Sequence, residues 1–160
     1  MKREIKFRGK DIETGEWIYG SLVLPISGTP RIYVQDVKTE GAVSFFVYDV
    51  EEDTIGQFTG LTDLDGTEIY EGDILLFISN AQKKRYKQGK IIGNNHARHY
   101  IVEYDTTAHR FCLQRINVST LDTPCPSSLH IASRMYVVGN IHDDKLYLFK
   151  RTQDTSSSSE

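Results

Sequence analysis

The residues best placed to do chemistry are the acids of Ile55–Leu75, IGQFTGLTDLDGTEIYEGDIL, where carboxylates and glycines crowd together as they do in calcium-binding loops. An EF-hand loop needs oxygen ligands at positions 1, 3 and 5, glycine at 6 and glutamate at 12, because the ion takes about six to eight oxygens around one sharp turn. Setting Asp63, Asp65 and Gly66 at positions 3, 5 and 6 puts Leu61 at position 1 and Gly72 at position 12, so both ends fail. Neither a Gly-Lys-Ser/Thr triplet nor a G-x-G-x-x-G spacing follows GQFTG, which removes a phosphate loop. Turn chemistry is what remains: Asp63 accepts hydrogen bonds from the backbone ahead of it, and Gly66 takes the left-handed conformation that closes TDLDGTEI.

Other reactive types are scattered. His96 and His99 stand in an Asn-rich stretch, with His109 further on, and no Cys or acid at zinc-ligand spacing accompanies them, so solvated histidines are the expectation. Cys112 and Cys125 are the only cysteines, with no C-x-x-C, and read as two free, buried or half-buried thiols. Serines are plentiful, but no G-x-S-x-G elbow sets one beside a base. The expectation is a protein that is not an enzyme, with no catalytic residue, no metal and no cofactor.

Charge is the stronger functional signal. The net charge of −3 conceals a division: Thr62–Asp73 holds five acids and no base, whereas Ile74–Val102 holds six bases and no acid. In that basic stretch Lys83, Lys84, Arg85, Lys87, Lys90 and Arg98 interleave with Tyr86 and Tyr100. Cations that displace counterions from phosphates, beside rings that stack on bases, suit single-stranded nucleic acid. Lysines that merely keep a loop solvated are the ordinary reading of the same residues, and the acidic total weakens nonspecific DNA binding.

These residues must be positioned by strands. Of the 160 residues, 39% are hydrophobic and 26% charged, an ordinary globular composition, and the 11% aromatic content beside many Val, Ile and Thr favours a mainly β chain. No apolar run is long enough for a membrane helix, and MKREIKFRGK alternates charge with apolar residues, so a cytoplasmic protein is expected. REIKFRGKDIETGEWIYGSLVL reads as a hairpin around Glu13-Thr14-Gly15, with Trp17 and Tyr19 on one face and Ile5 and Phe7 as partners, Trp17 being a core contact. Pro25, Gly28 and Pro30 interrupt the pattern before RIYV, and Ala42–Val50 then reads as a strand buried on both faces.

Three segments carry a family resemblance: REIKFRGKDIETGEWIYG at Arg3–Gly20, IGQFTGLTDLDGTEIYEGDIL at Ile55–Leu75 and YVVGNIHDD at Tyr136–Asp144. In this order they resemble the YopX proteins, small proteins of bacterial phages and prophages. The resemblance implies an N-terminal β-rich subdomain followed by an SH3-like β-barrel, with GQFTGL and IYEGD at the join. It implies no activity. Ser79–His99 is longer and more basic than the family pattern, and the serine-rich tail departs from it too.

On this basis residues 1–56 form the N-terminal subdomain, 57–72 the junction, 73–151 the barrel and 152–160 a disordered tail. Gly56, Gly60, Asp63, Gly66, Gly72 and Asp73 are junction residues with structural roles, and Gly139 is a further structural glycine. Barrel strands are expected at Asp73–Ser79, Lys90–Ile92, Tyr100–Asp105, Arg110–Ile116 and Arg134–Ile141, with a helical turn in Ser127–Ser133. Tyr104, Phe111 and Leu113 are expected to fill the interior. The functional expectation is a phage or prophage accessory protein that binds a host or phage protein. Single-stranded nucleic acid on the basic loop is the alternative, and edge-to-edge self-association a third possibility.

Overall fold

A computed structural model describes residues 4–37, 43–79, 83, 88, 98–116 and 127–143. The protein is mainly β, with two antiparallel sheets. The chain divides into two compact units, Met1–Gly60 and Leu61–Glu160.

In the first unit, β1 (Phe7–Lys10) and β2 (Trp17–Val23) form the expected hairpin. Asp11 sets the turn: its carbonyl accepts the Gly15 N–H at 2.8 Å, its carboxylate accepts the Thr14 hydroxyl at 2.9 Å, and Gly15 has φ +71°. β3 (Arg31–Val37) and β4 (Val43–Asp49) follow, then a 3-10 helix at Glu52–Thr54. β5 (Gly56–Thr62) carries the chain into the second unit, where β6 (Glu68–Tyr70) follows; the sheet order is β4-β3-β2-β1-β5-β6. β2 approaches β3 closely at Gly20, where a Cβ would lie 2.3 Å from the Tyr33 carbonyl oxygen, so only glycine permits this approach. An isolated antiparallel bridge joins Asp11, just past β1, to Val50, just past β4.

Two sequence expectations for this unit are corrected. Lys10 pairs with Trp17 and Arg8 with Tyr19, so the aromatic pair shares its face with cations, while Phe7 lies opposite Gly20 on the other face. The register set by the Asp11–Glu16 turn decides this, and composition alone cannot reveal it. β4 is not buried on both faces either. It is the end strand of the sheet, and Val43, Phe45, Phe46 and Val47 are exposed. A continuous apolar run is expected for a central strand, yet among the described strands only β3 pairs with β4, and the chain past β1 meets no more than its last residue, through the Ile12 N–H.

The second unit holds most of the core. Its other sheet runs β10-β9-β8-β7-β11, from β7 (Asp73–Phe77), β8 (Arg98–Asp105), β9 (Arg110–Arg115), β10 (Ser127–Ser128) and β11 (Tyr136–Asn140), with a 3-10 helix at Leu129–Arg134 where the helical turn is expected. β7 lies between β8 and β11 and buries both faces, which its sequence DILLF permits. Leu75 packs with Ile69, Tyr100, Val102, Leu113, Ala132 and Met135, whereas Leu76 packs with Ile78 and Tyr136. The expected strand at Lys90–Ile92 and the tail 152–160 lie outside the described residues.

Two further corrections concern β8 and β9. Leu113 is interior, but Tyr104 is exposed and Phe111 only half-buried; the two rings meet edge to face, with centroids 5.3 Å apart, near the hairpin end past the core. Cys112 is disulfide-bonded and not a free thiol. The return of the chain at β10, where Ser128 pairs with Cys112, brings sequence-distant residues to this position. The other cysteine, Cys125, lies outside the described residues.

Candidate functional site

The acids that open the sequence problem are turn and strand anchors. Asp63 is buried, and one of its oxygens accepts the N–H groups of Asp65 at 2.8 Å and Thr67 at 2.9 Å, while the other accepts the Val137 N–H at 3.0 Å. Gly66, with φ +88°, donates its N–H to the Asp63 carbonyl at 3.2 Å and closes the turn. Asp73 is 1% exposed; it accepts the Tyr70 N–H at 2.7 Å and faces the Asn140 amide at 3.4 Å. Gly60 and Gly72 have positive φ, and Gly56 pairs with Arg8. Both carboxylates therefore spend their acceptor capacity on the fold. Among the described residues no three His, Cys, Asp or Glu side chains converge as a metal site would require.

Of the basic stretch, Lys83, Arg98 and Tyr100 are among the described residues. Lys83 is half-buried, and its N–H donates to the Ser79 carbonyl at 3.1 Å; Arg98 is exposed at the start of β8. Tyr100, two residues further on, is buried in the core cluster and offers no open ring for a base. Lys84, Arg85, Tyr86, Lys87 and Lys90 lie outside the described residues.

The first unit presents the surface that composition did not single out. Its buried apolar residues, among those described, are Ile32, Val50 and Phe58, against fourteen in the second unit. Conversely, among the described residues ten of the twelve exposed large apolar side chains belong to the first unit, and only Leu64 and Tyr104 to the second. Single exposed apolar residues are ordinary, but a contiguous set marks an interaction surface. Four of the ten sit on β4, and Val23, Leu24 and Ile26 follow from β2 into its loop. On β1 and β2, Arg8 lies 4.5 Å and Lys10 5.5 Å from the Trp17 ring centroid, so the one tryptophan carries cations on its face.

The β4 edge is nearly neutral. Val43–Tyr48 contains no acid or base, and Asp49 is held by Arg31 at 2.7 Å. That hydrogen bond, and then the Asp49 charge, raises the Arg31 pKa above its ordinary value. Lysine, proline or a bulge commonly blunts an exposed edge, and between Val43 and Tyr48 there is neither lysine nor proline. The only sequence signal for the site was the run VSFFVYDV itself, which cannot say whether a strand is central or terminal.

Two open antiparallel sheets, in a chain of two compact units, define a fold class shared with a solved structure. The crystal structure of protein EF1440 from Enterococcus faecalis matches with a TM-score of 0.53 and 20% identity, covering 90% of this chain and 97% of that one. At this identity the likeness concerns the fold alone. No curated protein matches the chain. The profile of the YopX protein family matches residues 6–148, and the chain belongs to that family.

Proposed function

We propose that this protein is a non-catalytic binding module that engages a protein partner through the edge of its N-terminal sheet. The observation that carries the reading is β4, an end strand with four exposed apolar side chains and no charged residue from Val43 to Tyr48. An extended segment laid along such an edge gains main-chain hydrogen bonds, and the alternate side chains supply apolar contact. The same reading sets the protein in the service of a phage or prophage in the cytoplasm of a bacterial host, with an SH3-like barrel as its second unit; membership of the YopX family supports this setting without fixing it.

Single-stranded nucleic acid on the 83–100 stretch is the competing reading, and the burial of Tyr100 removes one of its stacking rings. Pull-down from bacterial lysate with immobilised wild type, Phe45→Lys and the double variant Lys83→Glu with Lys84→Glu separates the two. Protein capture lost with Phe45→Lys and retained by the double variant is the expected result. Capture indifferent to Phe45, with salt-dependent oligonucleotide binding abolished by the double variant, would overturn it.

A further inference from the structure

We propose that a second copy of this chain occupies the β4 edge, the two β4 strands running antiparallel about a two-fold axis at Phe45. This rests on the docking reading above and names the occupant. The backbone fixes which groups are available. The Val50 N–H donates to the Pro30 carbonyl at 2.9 Å, in register with the β3–β4 pairing, so the even-numbered residues of β4 turn their backbone groups toward β3. The odd-numbered residues, Val43, Phe45 and Val47, turn theirs outward. The next outward carbonyl, that of Asp49, already accepts the Ile12 N–H at 3.0 Å, so the open stretch ends before it.

An antiparallel partner must set outward residues against outward residues. Centring the axis on Phe45 pairs it with the partner's Phe45, and Val43 with the partner's Val47, so every outward group of the open stretch is used. Centring it on Phe46 would pair Val43 with the partner's Asp49, whose carbonyl is taken, so the first register is favoured.

Side chains and charge agree with an identical partner. The Phe45 rings meet at the axis, valines flank them, and Phe46 lies opposite the partner's Ser44, giving aromatic and branched cross-strand contacts. The neutral stretch provides nothing for a charged segment to recognise, and the antiparallel arrangement sends the two Arg31–Asp49 pairs to opposite ends, so no like charges meet. Phe45 is 64% exposed, Phe46 47%, and Val43 and Val47 48% each. Aromatic side chains carry roughly 150–250 Å² apiece, so Phe45 and Phe46 together offer about 200 Å² per copy, to which the two valines add. An edge of this size falls below the roughly 1,200 Å² of stable specific interfaces, so the association is reversible and depends on concentration.

Sedimentation velocity across roughly 1–200 μM, a range set by weak interfaces of this class, tests the proposal. The wild type should move from 18.3 kDa toward twice that mass as concentration rises. Phe45→Lys, which charges the axis, and Val47→Pro, which deletes an outward N–H that β3 does not use, should stay monomeric. Unchanged Trp17 fluorescence shows that each variant keeps its fold. A wild type at 18.3 kDa throughout, or folded variants that associate as the wild type does, would overturn the proposal. A monomeric wild type that still captures a lysate protein through Phe45 would refute self-pairing and leave the docking reading standing. A monomeric wild type with no Phe45-dependent capture would refute both.

Discussion

At Asp63 one carboxylate accepts three backbone N–H groups, two in its own turn and one, from Val137, on β11. Hydrogen bonds to a charged acceptor are stronger than neutral ones, and a buried N–H left without a partner keeps its full desolvation penalty. Asp63→Ala should therefore destabilise the second unit by about 3 kcal/mol, seen as a lower urea midpoint by far-UV circular dichroism. An unchanged midpoint would mean that water or a neighbouring group replaces the carboxylate without loss. The turn role of Asp63 was readable from Asp followed by Asp-Gly, because such side chains bond their own backbone. The bond to Val137 was not readable, since it joins residues 74 apart in sequence.

Among the strands, legibility followed the turns. The β1–β2 hairpin was marked by Asp11 and Gly15, and the entry to β7 by Gly72 and Asp73. Faces and neighbours were less visible. The placement of Trp17 beside Arg8 and Lys10 depends on register, which the β1–β2 turn imposes. Tyr100 stands close to the lysines in sequence, but alternation along β8 turns it, like Val102, into the core. The place of β4 is not legible, because the same apolar run serves a central strand or an uncovered edge, and only the sheet order distinguishes them. Gly20 is a further position that sequence passed over. Gly20→Ala forces a methyl group into the Tyr33 carbonyl and should cost the first unit about 1–3 kcal/mol, as overpacking does. Trp17, the sole tryptophan, lies in that unit, so its fluorescence during urea unfolding reads the effect directly. A midpoint equal to that of the wild type would show that β2 can draw back from β3 at Gly20.

Across the whole molecule, burial is divided unequally between the units. Small folding units gain little from a core, and the first unit leaves more of its described large apolar side chains exposed than it buries. Such a unit is stabilised by whatever covers it, so binding and folding are linked there. The docking edge on β4 is the central claim, and backbone hydrogen exchange at that strand tests it most directly. The Ser44, Phe46 and Tyr48 amides, which face β3, should be protected at every concentration, while those of Val43, Phe45 and Val47 should exchange fast in dilute protein and slowly in concentrated protein. Fast exchange of those three at every concentration, and equally in the presence of any protein captured from lysate, would contradict it.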